Sequence, residues 1–155
     1  MVNLPARLLS CDFSDEAIEK ICKYYPLVNT FQFDMTEGFP FEAEAVDVII
    51  ADLCLHYFDD DEMGDIVAEI GRVLTSGGRL ICRVNSDKDM NHGAGQGEEI
   101  QQGLFLKDGV KKRFFDEELI RSSFEGLEIG ELREYVCTKY PKEKVVWEFE
   151  CRKVK

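Results

Sequence analysis

The stretch VDVIIADLCLHYFDDDEMGDIVAEIGRVLTSGGRLICRV, residues 46–84, decides the fold. Val46 to Ala51 is apolar apart from Asp47, the composition of a strand buried on both faces. The acids Asp59, Asp60, Asp61 and Glu62 follow, and an acidic first turn complements the positive end of a helix dipole. From there Met63, Ile66, Val67, Ile70, Val73 and Leu74 recur at intervals of three and four, which predicts one apolar helix face. Gly77 and Gly78 are expected to supply the turn that ends the helix, and Arg79 to Val84 is the next strand. Strand, crossover helix and strand together make the repeating unit of a parallel sheet.

The same alternation continues outward. Arg7 to Cys11 reads as a short strand. Ser14 is a helix N-cap with Asp15 and Glu16 in the first turn. Ile18, Ile21, Cys22 and Tyr25 then share one face, and Pro26 stops the helix. Val28 to Phe33 is another strand, and the segment to Ala45, with Gly38 and Pro40, is a loop. Beyond Val84, residues Asn85 to Gly103 are polar and glycine-rich and read as a long loop. Asp116 to Glu118 start a short helix that runs to Phe124. Two strand-like segments close the chain, Leu127 to Cys137 and Val145 to Val154. The expected architecture is a single α/β domain over all 155 residues, mainly parallel with an antiparallel C-terminal pair.

Nineteen Lys and Arg against 31 Asp and Glu give a net charge of −12. Such a surface repels phosphate backbones and anionic lipid, which argues against nucleic-acid and membrane partners. No apolar run approaches the ~20 residues of a bilayer span; the longest, Val48 to Leu55, is broken by Asp52. Met1 to Pro5 carries no basic segment leading an apolar stretch, so the expected location is the cytoplasm. The six cysteines form no Cys-x-x-Cys pair and sit mostly in apolar runs, the pattern of reduced, buried thiols. His56 and His92 do not combine with them at metal-ligand spacing, so no metal is expected.

In open parallel sheets ligands bind outside the carboxyl ends of the strands. Asp12, Asp34 and Asp52 each stand at such an end. Singly, each also has the ordinary use of capping a turn. Taken in order, LLSCDFSDEAI (residues 8–18), FDMTEGFPF (33–41), VDVIIADLCLHYF (46–58) and IGRVLTSGGRLICRV (70–84) resemble the class I S-adenosylmethionine-dependent methyltransferases. The likeness is to the small bacterial, tellurite-resistance-like branch acting on small molecules. It implies a Rossmann-like sheet with S-adenosylmethionine as cofactor. On that resemblance Asp12, beside Phe13, holds the ribose, Asp34 and Met35 meet the adenine, and Asp52 and Leu53 line the methionine side. Tyr57, Arg83 and Asn85 face a small-molecule substrate, with His56 as the candidate base.

The chain departs from the family pattern at its start. The family's first strand and glycine-rich loop have no counterpart before Arg7, so the chain reads as entered after that strand. The later string His92-Gly93-Ala94-Gly95-Gln96-Gly97 is no substitute, because no apolar strand leads into it; it reads as a substrate-side lid or connector. Without the first strand, the strands at Arg7–Cys11 and Val46–Ala51 flank a slot of roughly 9 to 10 Å. Three arrangements would satisfy the strand edges: the two strands pair directly, a second copy or strand-sharing partner fills the slot as in a dimer, or the missing part lies elsewhere. A methyltransferase-like remnant serving as a dimerisation or regulatory module is the alternative to an enzyme.

Overall fold

The computed structural model describes residues 7–154, and the expectation drawn from Met1 to Pro5 lies outside them. The chain divides into two compact units, Met1–Pro40 and Phe41–Lys155.

In the first unit, strand β1 (Leu9–Asp12) leads into helix α1 (Asp15–Tyr24), which returns to strand β2 (Asn29–Gln32). The two strands pair in parallel, Leu9 opposite Asn29 and Asp12 opposite Gln32. Ser14 is the N-cap, as expected, its side chain accepting the Ala17 N–H. Glu16 and Lys20, one helical turn apart, form an ion pair at 2.6 Å. Among the described residues β1 pairs with β2 alone.

The second unit contains a four-stranded sheet in the order β3 (Val46–Asp52), β4 (Leu74–Asn85), β9 (Lys144–Arg152), β8 (Glu128–Cys137). β3 and β4 run parallel, joined by helix α2 (Asp60–Val73); β4 to β9 and β9 to β8 are antiparallel. Helix α3 (Glu117–Ser123) precedes β8. Met63, Ile66, Val67, Ile70 and Val73 of α2 are buried, as their periodicity predicts. So are Leu80, Cys82 and Val84 on one face of β4, with Phe149 and Cys151 of β9. On the opposite face Val48, Ile50 and Ile81 remain exposed. The outer edge of β3 carries no further strand among the described residues.

Three sequence expectations are corrected. Gly77 and Gly78 do not end α2: Leu74 is the C-cap, its N–H bonded to the Ile70 carbonyl. The glycines sit instead inside β4, where the register with β3 slips between Val46 and Val48. Gly77 has φ +76°, and a Cβ on Gly78 would lie 2.8 Å from the Thr75 carbonyl oxygen. The pair therefore forms a bulge that only glycine fits. The loop expected over Asn85 to Gly103 contains a short helical turn (Met90–His92) and strand β5 (Glu98–Gln101), which pairs with β6 (Leu104–Lys107) beyond it; with β7 (Val110–Arg113) these form a third, antiparallel sheet. Of the cysteines, Cys82, Cys137 and Cys151 are buried, but Cys11 and Cys22 are exposed.

Candidate functional site

The strand ends of the two units carry the residues singled out from the sequence. In the first unit Asp12 ends β1, and its Oδ1 accepts the Ser14 N–H at 2.9 Å. Oδ2 has no hydrogen bond among the described residues, which leaves half of the carboxylate for a ligand. Phe13, next in the chain, is 72% exposed. Asp34 follows β2. Its Oδ1 accepts the Thr36 N–H at 2.9 Å and the Thr36 hydroxyl at 2.8 Å, capping a single helical turn that begins at Met35. These two bonds, the backbone one first, hold the carboxyl below its ordinary range. Met35 is half-buried.

In the second unit Asp52 and Arg83, expected on the cofactor and substrate sides respectively, form one bidentate pair. Nε donates to Oδ1 at 2.7 Å and Nη2 to Oδ2 at 2.6 Å. The parallel register causes this, since it sets Asp52 directly beside Arg83 at the end of the ladder. The Arg83 hydrogen bonds lower the Asp52 pKa, and the Asp52 carboxylate in turn raises that of Arg83. Nη1 donates to the Tyr135 hydroxyl at 3.2 Å, which donates to Glu148 at 3.1 Å. Immediately after Asp52 the chain turns sharply. Leu53 has φ +55° while its N–H bonds the Arg83 carbonyl. Left-handed backbone costs a non-glycine residue about 1 kcal/mol and clusters at functional sites.

His56 is buried, 3% exposed, with its ring 4.2 Å from that of the exposed Tyr57. Its Nδ1 has no hydrogen-bond partner. Burial, reinforced by the charges of Lys112 and Lys144, lowers its pKa to about 3. The ring is therefore neutral at physiological pH and accepts a proton poorly, which weighs against its use as a base. Asn85, expected at the substrate side, is fully buried: Nδ2 donates to the Arg113 carbonyl at 3.5 Å, and Oδ1 is unpartnered. The acids before α2 act as a cap. Asp59 and Glu62 form a capping box, and Lys111 bridges both at 3.1 and 2.9 Å.

The structure also shows polar residues that the sequence reading passed over. Arg113, 1% exposed, pairs with Asp60 at 2.7 Å and donates to Gln101 at 3.0 Å. The fully buried Asp89 accepts from Lys144 at 3.0 Å and from the Val145 N–H at 3.2 Å, and its Oδ1 lies 2.8 Å from His92 Nδ1. Burial alone would raise the Asp89 pKa, but these hydrogen bonds outweigh it and hold the carboxyl below its ordinary value. One local signal pointed to this region: Asp108-Gly109 between Leu104–Lys107 and Val110–Arg113 is the common two-residue hairpin turn.

Residues 1–82 match the profile of the methyltransferase domain family. The solved structures give the same fold. An S-adenosylmethionine-dependent methyltransferase from Methanosarcina mazei is 17% identical, with a TM-score of 0.76, covering 94% of this chain and 81% of its own. One from Mesorhizobium loti is 17% identical, with a TM-score of 0.73 and coverage of 96% and 81%. The 1,6-didemethyltoxoflavin N1-methyltransferase of Burkholderia thailandensis, solved with bound 1,6-didemethyltoxoflavin and S-adenosylhomocysteine, is 19% identical, with a TM-score of 0.67 and coverage of 96% and 62%. No curated protein matches the chain. The fold is thus the Rossmann-like sheet of the class I methyltransferases. The chain belongs to the methyltransferase domain family.

Proposed function

We propose that the chain is an S-adenosylmethionine-dependent methyltransferase acting on a small molecule in the cytoplasm. The observation that carries this reading is the pair of carboxylates at and just past the ends of β1 and β2, where Asp12 and Asp34 each keep one oxygen without a hydrogen bond among the described residues. An acid past a strand end is suited to ribose hydroxyls, and the exposed Phe13 is suited to the edge of a nucleoside. Asp12 and Phe13 would hold the ribose, Asp34 and Met35 the adenine. Asp52 and Leu53 of the second unit would serve the methionine side. When bound, S-adenosylmethionine supplies a methyl group on a sulfonium, open to in-line displacement by a nucleophile. The protein's own contribution is positioning and exclusion of water. Arg83, fixed by Asp52 and Tyr135, is a rigid donor for a polar substrate, and the exposed Tyr57 completes the substrate side. The family match spans parts of both units, which supports reading 1–155 as one domain.

Calorimetry with S-adenosylmethionine or S-adenosylhomocysteine tests this. Saturable heat that Asp12→Ala abolishes is the expected result. No heat at millimolar ligand overturns it in favour of the second reading, a non-catalytic module that binds a second copy or a strand-sharing partner. The feature that favours the second reading is the free edge of β3 beside exposed Val48 and Ile50, an edge that proteins rarely leave open. Sedimentation of the wild type against Ile50→Lys decides it, since a dimer built on that face dissociates in the variant.

A further inference from the structure

The second unit contains a cavity of about 430 Å³ between the segment 91–96 and strands β6 and β7. It has no role in the reading above. Phe105 and Phe114 line it with their rings edge to face, centroids 6.1 Å apart. Lys107, Lys112 and His92 line it as well. That is ample room for one aromatic ring.

The charges of this lining run against the rest of the chain. In a protein with net charge −12, basic side chains find acids readily. Lys111, Arg113 and Lys144 do so, with Asp59 and Glu62, Asp60, and Asp89 respectively. Lys107 and Lys112 do not. Lys107 donates to the Gln96 side-chain oxygen at 2.7 Å, and Lys112 donates to the His92 carbonyl at 2.8 Å. Both acceptors are neutral, and among the described residues neither lysine has an ion pair, although Asp108 lines the same cavity. Lys112 also stands 5.2 Å from the Phe114 ring centre. Two lysines thus line an aromatic cavity with no ion pair among the described residues, and one of them, Lys112, stands over a ring. His92 is fixed by Asp89 through Nδ1, and Nε2 has no partner among the described residues.

We propose that this cavity binds a small aromatic acid, its ring against Phe105 and Phe114, its carboxylate on Lys112 and Lys107, and a ring hydroxyl within reach of His92 Nε2. Burial and the nearby Lys144 disfavour the charge on Lys112, and a bound anion relieves that repulsion. A carboxylate accepting from two ammonium groups makes the stronger, charge-assisted kind of hydrogen bond.

The test is calorimetric titration of the whole chain, without S-adenosylmethionine, by 4-hydroxybenzoate and by its uncharged analogue 4-hydroxybenzamide. Saturable binding of the acid is expected, with the amide weaker by about tenfold or more. Lys112→Met loses a similar factor, while Lys112→Arg stays within about threefold. Lys107→Gln, an exposed position, loses several-fold and decides the matter if Lys112→Met is unfolded by circular dichroism. The proposal is overturned if the acid shows no saturable binding up to about 10 mM, if acid and amide bind alike, or if folded Lys112→Met binds as the wild type. Because no cofactor is present, failure here leaves the methyltransferase reading untouched.

Discussion

Residues 7–40 and residues 41–154 handle their apolar side chains in opposite ways. In the first region no described residue is buried; Leu8, Phe13, Tyr24, Leu27 and Phe31 are all exposed, Leu27 at 97%. In the second, Ile66, Leu80, Val84, Phe115, Ile120, Phe124 and Val146 are fully sealed from solvent. Composition does not separate the two. What separates them is layering: α2 and α3 lie over a four-stranded sheet, whereas α1 has a two-stranded ribbon. Two strands are marginal as an independent platform, and three or more with a covered face are needed for stability. Local structure in the first region therefore rests on caps, turns and i,i+4 pairs, and in the second on packing.

The largest effect that tests this contrast belongs to the second region. Phe124→Ala removes a fully buried ring packed edge-on against Phe149 at 5.0 Å, and should cost about 3 to 5 kcal/mol in urea unfolding. A loss below ~1 kcal/mol would mean that the core there is loose. Next comes acid sensitivity. His56 titrates at about 3 in the folded chain against an ordinary 6.5. Between those values the unfolded chain binds the proton and the folded chain does not. Stability is therefore full above pH ~6.5 and declines as pH falls towards ~3. His56→Leu, similar in volume and without the unpartnered nitrogen, should flatten that limb and leave neutral-pH stability equal or higher. Thermal melts across the pH range read this directly. Ser14→Ala removes the cap of α1 and should cost about 1 kcal/mol of helix stability. It should show as faster amide exchange confined to α1, because little else holds that helix. Smallest of all, Leu27→Ser should change stability by under ~0.5 kcal/mol. A larger loss would show that this side chain is covered in solution.

Much of the framework is legible in the sequence. The 3.6-residue period of Met63 to Val73 and the apolar run Val46 to Ala51 are long signals, and both formed the expected elements. So did the cap at Ser14 and the acidic helix start at Asp59, whose partners lie within three residues. What escaped was of two kinds. The strands of the third sheet are four residues long, too short for periodicity to stand out against a glycine-rich background. The Asp108-Gly109 turn is a local clue. The other kind is long-range pairing: Asp89 meets Lys144 across 55 positions and Asp52 meets Arg83 across 31. No local pattern marks such partners, because sheet register creates them. The same register joins Asp52 and Arg83, which residue-by-residue reading had assigned to different tasks.

One feature of the four-stranded sheet bears on how the chain is made. β9 lies between β4 and β8, yet it is translated after both. During synthesis β4 therefore waits for residues 144–152, which are made long after it, before its second neighbour exists. Until then Leu80, Cys82 and Val84 lack their flanking strand, and β4 shows a bare edge. Pairings of this kind close large loops and form late. A ribosome stalled before Lys144 would display a sticky, half-built sheet, the kind of surface that holdase chaperones recognise.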